Sequence, residues 1–287
     1  MKTNVLNRIR TLLPELSKGQ RAIGQFILQS YDRAAYLTAA KLGEEVGVSE
    51  STVVRFANVL GYDSYPELQE YLRELIRTML TSKQRIIVTS DRLGDGDILA
   101  QVMNADMKKL RATLETVSRA DFERAVDTLI AARRIYIIGM RSSASLATFA
   151  HFYFRLIFDD AQLVQTTSGS EIFESLLRIN ERDVVFAISF PRYSKRIINA
   201  VEYAKSRSAH VIALTDSADS PIARQADTKL LAKSEMASFV DTLVAPLSII
   251  NALIVAITQK KRGELGELFD RLETIWDNYD VYDKEKN

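Results

Sequence analysis

At 287 residues the chain exceeds one average domain, and two compact units are the natural expectation. With no cysteine it offers no disulfide framework, no thiolate metal site and no cysteine nucleophile. A net charge of +1, 47% apolar residues and 26% charged residues are ordinary for a globular chain and do not by themselves argue for nucleic acid. The start, MKTNVLNRIR, lacks the apolar stretch of a signal peptide, and no apolar run reaches membrane-spanning length. A cytoplasmic location is therefore expected.

The distribution of charge says more than its sum. Residues 1–41 carry seven bases against two acids, whereas residues 42–80 carry three bases against seven acids. Residues 16–31 pattern as an amphipathic helix with Ser17 as cap and Leu16, Ile23, Phe26 and Ile27 on one face. Lys18 and Arg21 lie near its start, where the helix dipole does not favour bases. That suits solvation or a contact to a DNA backbone.

Residues 37–62, LTAAKLGEEVGVSESTVVRFANVLGY, read as two short helices joined by a tight turn. Counted from Ala39, the apolar residues Leu42, Val46, Val48, Val53 and Phe56 occupy positions four, eight, ten, fifteen and eighteen. Those are the positions at which a helix-turn-helix locks its two helices. Gly43 permits close approach and Gly47 can take the positive φ of the turn. Thr38 and Ser49 stand where N-caps start each helix. An ordinary αα-hairpin would share the periodicity, but not the glycines, caps and apolar positions in one register. Glu50, Ser51, Thr52, Arg55 and Asn58 are left outward, as on a helix that enters a major groove. The expected DNA-binding residues are Lys18, Arg21, Thr38, Ser49, Ser51, Thr52 and Arg55.

Ser64 then caps a helix with Pro66 in its first turn and Leu68 and Leu72 on its apolar stripe, which closes an all-α domain over residues 1–80. Residues 81–97, with two glycines and three aspartates, read as a linker. Helices follow near 98–118 and 121–132, able to pack on the second domain or on a partner chain. From residue 134 the rhythm becomes strand, loop, helix: strands at 135–139, 161–164, 183–190, 210–216 and 228–232, the last at an edge or outside. The helices between them include 143–158, a short one opening at Ser220, Pro221 and Ile222, and a long apolar one over 238–260. This alternation predicts a doubly wound α/β parallel sheet across residues 98–287. The helix at 238–260 is apolar around most of its circumference, and a homodimer contact is expected there. A final amphipathic helix also suits an oligomer contact.

Ligands in such sheets bind beyond the carboxyl ends of the strands. Three ends stand out: Gly139-Met140-Arg141-Ser142-Ser143, Ser189-Phe190-Pro191-Arg192-Tyr193-Ser194 and Thr215-Asp216-Ser217. Hydroxyls, amides opening a helix and an arginine make an anion site. Thr167, Ser168 and Gly169 could add a wall. The expected ligand residues are Arg141, Ser142, Ser143, Ser168, Ser189, Arg192 and Ser194. Arginine buried there without a counter-ion is costly, so an acidic ligand is favoured over a neutral one. No catalytic set emerges. His151 and His210 read as structural, and no metal spacing, dinucleotide loop or other cofactor site is expected.

The blocks AAKLGEEVGVSESTVVRFANVLGY, GMRSSASLATFA, AISFPRYSKR, ALTDSADSPIARQAD and SFVDTLVAPLSIINALI, in this order, resemble the RpiR/MurR family of bacterial transcriptional regulators over about residues 9–260. The resemblance implies a helix-turn-helix domain joined to a sugar-isomerase (SIS) domain that senses a phosphorylated sugar or related metabolite. It also implies dimers or tetramers on palindromic operators. Ser143 and Ser189 match the family's phosphate-loop positions, and Ser194 its later hydroxyl. Arg141 replaces the second glycine of a GxGxS loop, and Phe190 to Tyr193 interrupt an SxSGxT loop, so a carboxylate ligand is credible beside a sugar phosphate. The expected function is a regulator, not an enzyme, that binds double-stranded DNA and answers to an anionic sugar-derived effector. The alternative is an aldose–ketose phosphate isomerase with a helical appendage. That enzyme needs a base at the sugar carbon, and none stands at these strand ends.

Overall fold

A computed structural model of the chain describes residues 5–93, 96–165 and 169–282. They fall into two compact units, Met1–Val102 with Met236–Asp241, and Met103–Glu235 with Thr242–Asn287.

The first unit is built from α1 (Val5–Leu12), α2 (Lys18–Gln29), α3 (Tyr31–Ala34), α4 (Ala39–Val46), α5 (Glu50–Val59), α6 (Tyr65–Met79) and α7 (Ser82–Leu93). Ser17 and Gln20 form a capping box at the start of α2. Thr38 accepts the Lys41 N–H at 3.3 Å and starts α4, which ends on Gly47 at φ 72°. A Cβ on Gly43 would stand 2.7 Å from the Val48 carbonyl oxygen, so only glycine lets the α4–α5 turn close. Leu42, Val53, Phe56 and Leu60 are fully buried, with Val46 and Val48 partly so. The helix-turn-helix forms as its spacing predicts. Ser49 differs: its hydroxyl makes no backbone cap bond but lies 3.0 Å from Ser51 Oγ and 2.9 Å from Thr52 Oγ1. Neighbouring hydroxyls compete for it.

Side chains of α6 hold the turn ahead of α4. Tyr65 Oη donates to the Leu37 carbonyl at 2.8 Å, Gln69 Nε2 to the same oxygen at 2.6 Å, and Arg73 Nε to Ala35 O at 3.0 Å. Burial pushes the Tyr65 phenol up to about 12, so it remains a donor. The segment expected to be a linker is largely helical. Thr81 and Gln84 form a capping box at the start of α7, with Thr81 N–H to Gln84 Oε1 at 3.0 Å and the reciprocal bond at 3.3 Å.

After α8 (Ile98–Thr116), the second unit continues with α9 (Arg119–Ala131), β1 (Arg134–Gly139), α10 (Ser143–Ile157), β2 (Ala161–Val164), α11 (Gly169–Ser175), β3 (Asp183–Ile188), α12 (Lys195–Ser206), β4 (His210–Thr215), β5 (Thr228–Leu231), α13 (Val244–Lys260) and α14 (Arg262–Asn278). Among the described residues the sheet is five-stranded and parallel, in the order β2-β1-β3-β4-β5. Strand side chains alternate between two cores. Ile137, Phe186 and Leu214 pack with residues of α10 and α13, and Tyr136, Val185 and Val211 with residues of α11 and α12. Burial on both faces is why these strands read as unbroken apolar runs.

Two helix expectations are corrected. Residues 221–225 are turns rather than a helix. The long apolar helix starts at Val244, not at 238; before it, Met236 and Asp241 pair in an antiparallel bridge. Pro246 explains the start, since proline is tolerated only in a first turn, where its missing N–H has no partner to lose.

His210, at the start of β4, is half-buried, with Nε2 3.0 Å from Thr228 Oγ1. Burial lowers its pKa below the ordinary 6.5; nearby Asp227 opposes this, and Lys205 and Arg124 add to it. The unfolded chain therefore takes up the proton first. Its contribution to stability is full above about pH 6.5 and is lost as the pH falls through that value toward the folded-state pKa. Melting curves between about pH 7.5 and 5.5 should fall more steeply for wild type than for His210→Gln. Parallel slopes would remove His210 from the acid response.

Candidate functional site

The outward face of α5 carries one set of sequence-predicted residues. Ser51 and Arg55 are exposed, Thr52 is half-buried, and Arg55 Nε donates to the Ser51 carbonyl at 3.2 Å. Glu50, Ser51, Val54 and Arg55 line an open depression on this face. A Cβ on Gly19 would lie 3.3 Å from Val48 Cγ1 and 3.5 Å from Thr52 Cγ2, so the start of α2 approaches the start of α5. That places exposed Lys18 beside the same end of the face. Arg21 is engaged within the unit, donating to the carbonyls of Leu13, Pro14 and Leu16 at 3.1–3.2 Å. Its guanidinium organises the α1–α2 turn. Thr38 is exposed but serves its own helix start.

In the second unit the strand order reverses direction between β1 and β3, which is where a doubly wound sheet opens a crevice. Gly139 pairs with Ile188, and Ile188 with Leu214, so the loops after β1, β3 and β4 leave the sheet side by side. Ser189 N–H extends the ladder to Leu214 O at 3.1 Å. Gly139 is the closest approach: a Cβ there would collide with the Ser143 carbonyl and stand 2.8 Å from Ala147 Cβ. Arg141 and Arg192 both adopt left-handed backbone, at φ 57° and 66°. A bulky residue pays about 1–2 kcal/mol there. Tyr193 Oη and Thr215 Oγ1 both donate to Asp216 Oδ1, at 2.9 and 3.2 Å, and tie the β3–α12 loop to the end of β4.

An open cavity of about 560 Å³ at this edge is lined by Gly139, Met140, Arg141, Ala144, Gln165, Glu171 and Arg196. Ser142 and Arg141 are exposed, Ser143 and Ser189 buried, Arg192 and Ser194 half-buried; Ser194 Oγ lies 3.6 Å from Met140 Sδ. Thr167 and Ser168 lie outside the described residues. The expectation of buried arginines is corrected: neither Arg141 nor Arg192 is buried, so burial cost does not argue for an acidic ligand. Positive charge at the cavity is increased by a residue the sequence reading missed. Arg196, with Lys195, stands in the first turn of α12, where no acid offsets the dipole. Bases at a helix start were the available signal. Among the described residues no group of three or more His, Asp or Glu residues could hold a metal ion.

A helix-turn-helix unit followed by a parallel α/β unit defines a DNA-binding transcriptional regulator. Residues 3–78 match the helix-turn-helix domain of the rpiR family and residues 128–256 match the SIS domain. The chain belongs to the RpiR family of helix-turn-helix regulators. It is 25% identical over 265 residues to HexR of Pseudomonas aeruginosa, covering 90% of each chain. It is 25% identical over 279 residues to HexR of Escherichia coli, covering 94% of this chain and 93% of that one. Among solved structures it is similar to Vibrio vulnificus NanR in complex with ManNAc-6P (TM-score 0.60, 21% identity, 96% of this chain and 99% of that one). It is similar also to the sugar isomerase domain of an RpiR transcription factor from Sphaerobacter thermophilus (TM-score 0.58, 25% identity, 61% and 97%). The relatives are named as transcriptional regulators, and the protein is a regulator rather than an isomerase. No helix among the described residues is long and apolar enough to cross a membrane.

Proposed function

We propose that the protein is a cytoplasmic, homodimeric regulator whose operator affinity is set by an acidic sugar-derived metabolite, a sugar phosphate or sugar acid. The observation that carries this is the pair of left-handed arginines, Arg141 and Arg192, on the two loops that flank the switch point of the sheet. Strain of that kind clusters at ligand sites. The metabolite's anionic group sits against Arg141, Ser142, Ser143, Ser189, Arg192 and Ser194, with Arg196 adding charge at the cavity wall. The sugar phosphate bound by NanR supports the ligand class. On the DNA side Ser51, Thr52 and Arg55 read bases while Lys18, Thr38 and Ser49 face the phosphates. Exposed Met103, Met107 and Leu114 form a stripe along α8 that supports a second copy, and with it a palindromic operator with half-sites about one helical turn, or a multiple of it, apart.

The test is a thermal-shift panel of sugar phosphates, sugar acids and neutral sugars on wild type and Arg192→Ala. An acidic compound should raise the melting temperature of wild type only. It should also change affinity for a DNA duplex selected from a random pool by about 1–3 kcal/mol, the usual size of an allosteric coupling. Arg192→Ala should keep its affinity for the duplex without ligand. A neutral sugar that stabilises both proteins equally would overturn the anion site.

A further inference from the structure

Val54 is 38% exposed in the second turn of α5, outside the buried cluster of its unit. It is the apolar member of an otherwise polar face. Glu50 and Ser51 lie four and three residues before it on the same helical stripe, Arg55 follows it, and all four line one depression. Nothing in the packing of the unit calls for valine here, and a β-branched side chain slightly lowers helix propensity. The position is also one that a helix lying in the major groove turns toward base edges.

The thymine 5-methyl is the apolar group that a base pair displays in the major groove. Arginine beside it suits the O6 and N7 of guanine, and the bond from Arg55 Nε to the Ser51 carbonyl restrains that side chain next to Val54. We infer that Val54 is a specificity-determining residue that reads the 5-methyl group of a thymine at or beside the base pair Arg55 contacts. Each half-site then holds a T·A pair adjoining a G·C pair. This rests on the reading that α5 is the helix that enters the groove.

The experiment selects duplexes from a random pool with the full-length protein, then replaces each thymine of the enriched sequence in turn by deoxyuridine, which differs only in lacking the methyl. One thymine per half-site should prove sensitive, its replacement weakening wild-type binding by about fourfold, the worth of one methyl-sized group leaving water. Val54→Ala should bind the thymine and deoxyuridine duplexes equally and still enrich the G·C pair. Wild type indifferent to every replacement, or Val54→Ala discriminating as well as wild type, would overturn the inference. If Arg55→Ala and Ser51→Ala also bind the selected duplex like wild type, the assignment of α5 as the reading helix fails with it. Loss of binding by Arg55→Ala while Val54→Ala behaves as wild type confines the failure to Val54.

Discussion

Asp241→Ala should destabilise the first unit by about 3–5 kcal/mol, the range for removing one partner of a buried ion pair. The Arg85 side chain is 1% exposed and that of Asp241 10%, with Arg85 Nη1 3.1 Å from Asp241 Oδ2 and 3.2 Å from the Phe239 carbonyl. Both groups are largely desolvated, so the pair's net worth is small even though breaking it is costly. Urea denaturation followed by far-ultraviolet circular dichroism should therefore show Asp241→Ala well below wild type, and Arg85→Met with Asp241→Leu recovering most of the loss. A single variant within about 0.5 kcal/mol of wild type would mean that the pair is solvated.

The second large effect is expected at Gly139. Alanine there drives its Cβ into the Ser143 carbonyl and against Ala147 Cβ, so α10 must move away from β1. Overpacking of this kind costs about 1–3 kcal/mol, and the displaced loop carries Arg141 and Ser142. Gly139→Ala should thus lower the melting temperature and abolish the thermal shift given by an acidic ligand. Arg141→Gly should separate the two consequences. Glycine relieves the left-handed backbone and should stabilise the protein by up to about 1 kcal/mol, while removal of the guanidinium weakens the same ligand response. If Arg141→Gly leaves stability unchanged and the ligand shift intact, the strain at this loop has no part in binding.

The helix-turn-helix was legible in the sequence because its determinants are local. Caps at Ser17 and Thr38, the turn glycine Gly47 and the stripe of Leu42, Val53 and Phe56 act over three or four residues. The sheet was legible because strands covered on both faces are apolar throughout, and the alternation with helices admits few topologies. Two misreadings were also local, since their signals were in the chain. The Thr81 and Gln84 capping box starts α7 inside a polar stretch, and Pro246 fixes the start of α13 within an apolar one.

Other features depended on tertiary structure. Arg21 looks like a free base near a helix start until the α1–α2 turn presents three carbonyls to it. Arg85 falls in the stretch expected to be a linker until Asp241, 156 residues away, is brought to it. The sequence by itself determined the fold class, the two helices of the helix-turn-helix and the loops that bear arginine. Only the tertiary structure decided that Arg141, Gln165, Glu171 and Arg196 share one cavity and that Arg141 and Arg192 are left-handed. The physical reason is one of range: caps and periodicity act along a few residues of chain, whereas parallel register and side-chain partners join residues that the chain itself keeps far apart.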